Sequence, residues 1–299
     1  MKLATLFFST AMAATALAAS SIDMRLMTYN IRLKLNEADL EPGEELWPVR
    51  RPLMASQLKR ETADRPETLI CMQEVTFPQL QDLQTDLGSE WAYIGVGRDD
   101  GAQEGEASPI FYRPSVWNPE HYRTVWLSPK PTQIGSKGWD AALPRIVTVV
   151  RFRHISSGAG FVYMCTHFDH KGQVAREKSA KFLIEMADMW AAHESDPLPV
   201  FLSGDLNVAP DNLACRILAS GLNDVKDVVP KEKQSGPTIT YTAFTEDESD
   251  DMVLDYIFAR DPTGLHFEKF AVLDARAENG VFISDHRPVV LDFQLPVRH

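Results

Sequence analysis

Apolar runs that end abruptly in polar residues recur along the chain: Met24 to Tyr29, Thr68 to Met72, Phe161 to Thr166, Val200 to Ser203, Val253 to Phe258 and Pro288 to Phe293. Their lengths and polar borders predict short β-strands, and polar groups set at strand ends converge on one rim of a sheet. Two longer segments carry apolar residues at helical spacing. Trp47 to Ala63 presents Val49, Leu53, Met54 and Leu58; Gln173 to Glu194 presents Val174, Phe182, Leu183, Met186 and Trp190. Both stripes are expected to be core faces of helices. Helices and strands alternate at irregular intervals, and loops such as Ser128 to Ala142 are long and rich in Pro and Gly, which excludes a simple doubly wound repeat. With no internal repeat and no low-complexity linker, the pattern predicts one domain. The acidic run Glu246 to Asp251 reads as a solvated loop just before a strand.

The first residues change the picture of where that domain begins. Lys2, the apolar stretch Leu3 to Ala14 and the small residues Ala16 to Ala19 have the order of a cleavable signal peptide. The expectation is a leader over 1–19, a mature domain over 20–299, and a secreted protein. No later segment is apolar enough to cross a bilayer, so no stable membrane insertion is expected. About 280 residues remain, enough for one large two-sheet or barrel fold with a substantial core. The formal net charge is −12 and becomes −13 once Lys2 leaves, which disfavours broad, salt-driven binding of nucleic acid without excluding a local phosphate site. Cys71, Cys165 and Cys215 are an odd number, so at least one thiol stays free or pairs outside the chain, and Cys71 and Cys165 in their apolar runs read as small buried hydrophobes.

Candidate chemistry lies in six motifs: TYN ending at Asn30, MQEV with Glu74, THFDH with His167 and Asp169, GDLN with Asp205 and Asn207, LDYIF with Asp255, and SDHRP with Asp285 and His286. Each sets a carboxylate, amide or imidazole at a strand end. A single such residue is more often a turn former than a ligand. Their order and context, with GEASPIFYR over 105–113 and the LPR ending at Arg145, resemble the endonuclease/exonuclease/phosphatase superfamily from Met24 to Phe293. The resemblance implies a deoxyribonuclease I-like fold, a four-layered α/β/β/α sandwich of two packed mixed sheets flanked by helices. It implies a phosphate-ester hydrolase that uses magnesium or manganese.

Physical chemistry accounts for these residue types. Hydrolysis of a phosphate ester needs a cation on the phosphate oxygens, a positioned water and help for the departing alkoxide. Magnesium prefers oxygen ligands and keeps several waters. By resemblance Glu74 is the first ligand, with Asp285 and Asn30 close by. A neutral imidazole takes a proton from water near neutral pH, which makes His286 the candidate general base. By resemblance Asp255 holds its other nitrogen. Asp205 and Asn207 share one face of an extended segment, and the family's assignments divide between activating water, serving the leaving group and orienting phosphate; an Asx turn is the structural alternative. The resemblance also pairs His167 with Glu106, as a histidinium that stabilises transition-state charge. Arg145 is a candidate phosphate contact through its bidentate guanidinium, alongside Asn207 and His167, whereas Arg176 reads as structural. For Asp169 and His170 site and structural roles stay open.

The expected activity is of phosphodiesterase or nuclease type on a phosphate ester, nucleic acid included, by a monomer. The alternatives are a phosphomonoesterase or a sphingomyelinase-type lipid phosphodiesterase. A non-catalytic binding or effector protein should lack some of the site residues, and none is missing.

Overall fold

The computed structural model describes residues 21–192, 197–247, 252–260 and 264–297. The expected leader lies outside the described residues, as do 248–251 of the acidic run and the last two positions of the second expected helix. Strands β1 (Ser21–Asn30), β2 (Leu69–Gln73), β3 (Ala92–Ile94), β4 (Ile110–Tyr112), β10 (Gln234–Ser235), β12 (His266–Val272) and β13 (Val289–Pro296) form one mixed sheet in the order β10-β12-β13-β1-β2-β4-β3. Strands β5 (Trp117–Trp126), β6 (Ile146–His154), β7 (Gly160–His167), β8 (Val200–Asp205), β9 (Asn223–Asp224) and β11 (Asp255–Arg260) form the second, in the order β5-β6-β7-β8-β11-β9.

The sheets face each other across a core that includes Leu26, Tyr163, Phe201, Leu291 and Phe293. Because both faces of each sheet are covered, the central strands read as continuous apolar runs. On the outer face of the first sheet, helices α1 (Trp47–Thr62) and α2 (Phe77–Leu87) bury Trp47, Met54, Leu58, Leu80 and Leu83. On the outer face of the second, α3 (Gln173–Ala191) and α4 (Leu213–Ala219) bury Leu183, Met186 and Leu218. A short helix, α5 (Val225–Val228), follows β9. This is the expected four-layered sandwich. Among the described residues no helix is long and apolar enough to cross a membrane.

Two expectations are corrected. Val49 and Val174 face solvent, at 43% and 46% exposure. Val49's place in the stripe of α1 falls to its neighbour Arg50, which is fully buried. Cys71 and Cys165 are not separate hydrophobes but one disulfide, with Cα atoms 5.3 Å apart. Both point into the inter-sheet core, from β2 and β7, so the bond joins the two sheets. Cys215 remains free and buried.

Candidate active site

Strand register assembles the site. In the parallel pair of β1 and β2, Asn30 stands beside Gln73, and Glu74 follows at once. In the second sheet His167 stands beside Asp205, and Asp205 beside Asp255. Asp285 and His286 lie on the segment leading into β13, the antiparallel neighbour of β1. All six motifs thus reach one rim of the sandwich, around a pocket of about 440 Å³ lined by Glu74, Glu106, Arg145, His167, Asp205 and His286 among others.

The backbone is bent to make this rim. Arg32, Glu74 and Asn207 line the pocket with φ of 58°, 62° and 52°. Left-handed conformations of non-glycine residues cost about 1–3 kcal/mol each and persist where surroundings over-determine them. Here side chains do so: Asp205 Oδ1 accepts from Asn207 N at 2.8 Å, and Asn30 Oδ1 accepts from Arg32 N at 3.0 Å. The Asx turn and the site role of Asp205 therefore coexist. Gly204, one residue earlier, has a φ of 153°, and any Cβ there would collide with the Thr166 carbonyl, so β7 and β8 approach closely at the rim only with glycine.

His286 Nδ1 donates to Asp255 Oδ2 at 2.7 Å, leaving Nε2 3.4 Å from Asn30 Nδ2 and 3.7 Å from Asp205 Oδ2. Asn30 Nδ2 in turn donates to Glu74 Oε1 and Asp205 Oδ2, both at 3.0 Å. The amide nitrogen of Asn30 faces the carboxylates and ties Glu74 to Asp205. Glu74 Oε2 also accepts from Leu33 N at 3.1 Å. Asp285 is held by Ser284 Oγ at 3.2 Å and lies 3.8 Å from Arg32.

Across the pocket, His167 Nε2 accepts from Asn207 Nδ2 at 2.9 Å, which puts the proton on Nδ1, 3.7 Å from Glu106 Oε2. Glu106 is engaged elsewhere: Arg98 grips both of its oxygens at 2.7 and 2.8 Å. Arg145 Nη2 donates to His170 Nδ1 at 3.0 Å. Asp169 is buried and accepts backbone N–H bonds from Ala142, Leu143, Lys171 and Gly172. Arg176 donates to the Asp169 carbonyl at 2.8 Å, a structural role as expected.

Electrostatics divide the pocket. Burial would push the His286 imidazole down, but Asp255 and Asp205 outweigh it and raise its pKa to about 10. Burial and the neighbouring carboxylates raise Asp205 and Asp285. Glu74 is buried too, yet the Asn30 hydrogen bond and the His286 charge hold it below its ordinary value. His167 goes the other way: burial, then Arg145 and Arg98, depress it well below an ordinary histidine. This favours the neutral ring, whereas the histidinium was expected in the transition state.

Ligand atoms of Glu74, His167 and Asp205 come within 4.8 Å of one another, as do those of Asp205, Asp255 and His286. The first set, rich in carboxylate oxygen, fits a hard divalent cation. Sequence reasoning missed Arg98, Arg32 and Arg50. Arg98 sits in an irregular loop and carries no motif. Arg50 donates to the carbonyls of Ile31 and Ile283 at 2.8 and 3.0 Å, tying the Asn30 segment to the Asp285 segment, and a charge inside a helical stripe was the available signal.

Convergent carboxylates, a carboxylate-held imidazole and facing arginines, on the rim of a two-sheet sandwich, define a phosphoester-hydrolase type of site. The model of the Endonuclease/Exonuclease/phosphatase family matches residues 27–286, and the chain belongs to that family. Its members are phosphoesterases, generally dependent on divalent metal. The chain is similar to an endonuclease/exonuclease/phosphatase of Bacteroides vulgatus, with 29% identity and a TM-score of 0.81 over 92% of this chain and 99% of that one. It is similar to the mannosyl-6-phosphatase of Bacteroides thetaiotaomicron, with 29% identity and a TM-score of 0.76 over 90% and 99%. The human Nocturnin catalytic domain, at 18% identity and a TM-score of 0.67 over 92% and 96%, shares the fold. A comparison with curated proteins finds no match.

Proposed function

We propose that the protein is an exported, divalent-cation-dependent hydrolase of phosphate esters with compact alcohol groups. The observation that carries this is the set of Asp255, His286, Asn30 and Glu74 at the floor of an acid-lined pocket, with His286 Nδ1 held by Asp255 and the Asn30 amide donating to Glu74 and Asp205. Glu74 and Asp205, with His167 beside them, are the residues that would hold the cation. When bound, it supplies positive charge to the phosphate oxygens and offsets the acid cluster. With the acid cluster offset, so that the carboxylates no longer keep its ring protonated, His286, oriented through Nδ1 by Asp255, takes the proton of the attacking water at Nε2. His167, its tautomer set by the Asn207 amide, donates to a phosphate oxygen through Nδ1–H. The net charge supports a small ester over a long polyanion, and the similar chain of Bacteroides thetaiotaomicron is a mannosyl-6-phosphatase. The leader-like first residues support export.

A second reading draws support from the raised pKa of His286. The imidazolium binds phosphate, and Asp205 takes the proton of the water. Purified mature protein assayed with magnesium or manganese against plasmid DNA, RNA, sphingomyelin and small phosphate esters tests the main reading. Turnover of a small ester that stops in EDTA is expected. Full activity in chelator would overturn it.

A further inference from the structure

The outer face of the second sheet is covered unevenly. Helix α3 lies against β7, while β5 stands two strands farther out, at the edge of the sheet. Between helix and edge strand is a groove of about 540 Å³ that shares no residue with the pocket at the rim. Its size falls in the range of about 300–1,000 Å³ typical of small-molecule sites. The strand side of the groove is graded: His121 stands beside Arg151, Arg123 beside Val149 and Val125 beside Val147. Alternate residues of a strand and their cross-strand partners share a face, so one face passes from basic to apolar. Helix α3 follows the same grading. Its Trp190 carbonyl accepts from Arg151 Nη2 at 2.8 Å, at the basic end. Met186 and Phe182 follow at one-turn steps, with Phe182 about 12 Å along the axis from Trp190.

Basic charge gathers at one end of this groove. Among the described residues no carboxylate lines it, although the chain carries a net charge of −12. Glu120, next to His121 on the same strand, has both oxygens bound by Arg153 at 3.0 and 3.2 Å. Basic groups set directly opposite on a ladder repel each other. Arg151 is fixed through Nη2 on the Trp190 and Ala192 carbonyls, and its Nε is buried with no partner among the described residues. A buried N–H without an acceptor is costly. An anionic group placed here relieves both effects. The other end suits an alkyl chain. Val125 and Met186 lie below the surface at 7% and 2% exposure, where a slender chain reaches and a bilayer face does not. Met189 stands on the lip at 65%. Unbranched thioethers adapt readily to a flexible chain.

We propose that this groove is a second ligand site, which takes a single-tailed amphiphile with an anionic head. The tail lies along Met186, Phe182 and Val125, and the head meets Arg123, Arg151 and His121. The site stands apart from the phosphate-ester reading and does not depend on it. Calorimetry on the protein in EDTA compares decanoate with decyl maltoside and decyltrimethylammonium, each below its micelle concentration. Decanoate is expected to bind once per protein molecule and at least about tenfold more tightly than the other two. Arg123 and Met189 are exposed, so substitution there leaves the fold intact. Arg123→Ser is expected to lower decanoate affinity about tenfold without changing that of decyl maltoside, and Met189→Ser to lower it roughly several-fold. The methyl resonances of Met186 and Met189 should shift as decanoate binds. No binding of decanoate, equal binding of the three amphiphiles, or decanoate binding unchanged in both variants would overturn the proposal. Attachment to phosphatidylglycerol vesicles without binding of decanoate would overturn it as well, and would assign this face to a membrane surface.

Discussion

His286 and His167 face the same pocket, both almost fully buried, and their charges are driven in opposite directions. Burial lowers the pKa of each. For His286 the carboxylates of Asp255 and Asp205 reverse that effect and hold a proton to about pH 10. For His167, with Asp205 3.4 Å from Nε2 and Glu106 3.7 Å from Nδ1, Glu106 spends its charge on Arg98, and the guanidiniums of Arg145 and Arg98 add to the burial. Two imidazoles of one intrinsic basicity thus become a charge-bearing group and a neutral hydrogen-bonding group. The difference is set by which partner the adjacent carboxylate faces, and separated pKa values of this kind are how a site divides acid and base roles.

The contrast is sharpest at His286 and Asp255, where the largest effect is expected. Loss of a general base typically costs on the order of a hundredfold to ten-thousandfold in rate. His286→Ala and Asp255→Asn should each lower kcat by such a factor with folding intact. The double variant should be little worse than His286→Ala, since both remove one unit. If Asp205 is the base instead, Asp255→Asn is mild and its cost multiplies with that of Asp205→Asn. Steady-state kinetics of the four variants separates the two cases. Additive losses from Asp255 and His286 would break the pairing.

A covalent bond holds the two sides of the pocket in register. Cys71 lies on β2 just before Glu74, and Cys165 on β7 just before His167, so their disulfide staples the strand that ends in the acidic side to the strand that ends in the cationic side. It closes a loop of sequence separation 94. Loss of a native disulfide costs about 2–5 kcal/mol. The Cys71→Ser, Cys165→Ser double variant should therefore melt several degrees lower, and mild reductant should leave the wild type unchanged because both sulfurs are buried. A melting temperature that does not move would show that packing alone keeps the sheets aligned.

The rim of the sandwich was legible in sequence for a physical reason. Strands β1, β2, β7 and β8 are mostly apolar runs that stop where a polar site residue begins, as with Met24 to Tyr29 before Asn30, while in β11 and β13 the site residues stand at or before the start of the run. The hairpin of β5 and β6 was not legible as a strand pair, since β5 carries Asn118, Glu120, His121 and Arg123 on an edge open to solvent. Helix α2 was overlooked although Thr76 and Gln79 form a capping box, a signal readable from spacing. The disulfide could not be deduced, because nothing in sequence says that β2 and β7 meet across the core. Arg98 and Arg145 differ in the same way. Arg145 stands in a motif, while only the structure shows Arg98 drawing Glu106 away from His167.

A smaller effect is expected at Glu74, where the acidic side is to hold the cation. Glu74→Gln keeps the shape but removes a charge, and loss of a group that tunes a metal site typically costs roughly 10–100-fold in metal affinity. The variant's activity should recover as magnesium or manganese is raised. A defect that persists at saturating metal would move the cation away from Glu74.

The smallest effect, and the most direct view of the two histidines, is in the pH dependence of the metal-free protein. His286 has a folded pKa above its unfolded value, so its contribution to stability is fully present below the unfolded pKa, near 6.5, and is lost as pH rises toward about 10. His167 has a folded pKa well below its unfolded value. The unfolded chain then binds a proton that the folded chain refuses, and stability falls as pH drops below about 6.5. Denaturant titrations in EDTA should therefore show stability declining on both sides of that point. His286→Gln should flatten the alkaline decline and leave the acid one. His167→Gln should do the reverse, with Asp205 and the other carboxylates still adding to the acid limb. Nuclear magnetic resonance of the two imidazoles separates their titrations, with His286 still protonated at pH 8 and His167 already neutral at pH 6. If both rings titrate together near 6.5, Glu106 is free to serve His167, and Arg98 does not hold it in solution.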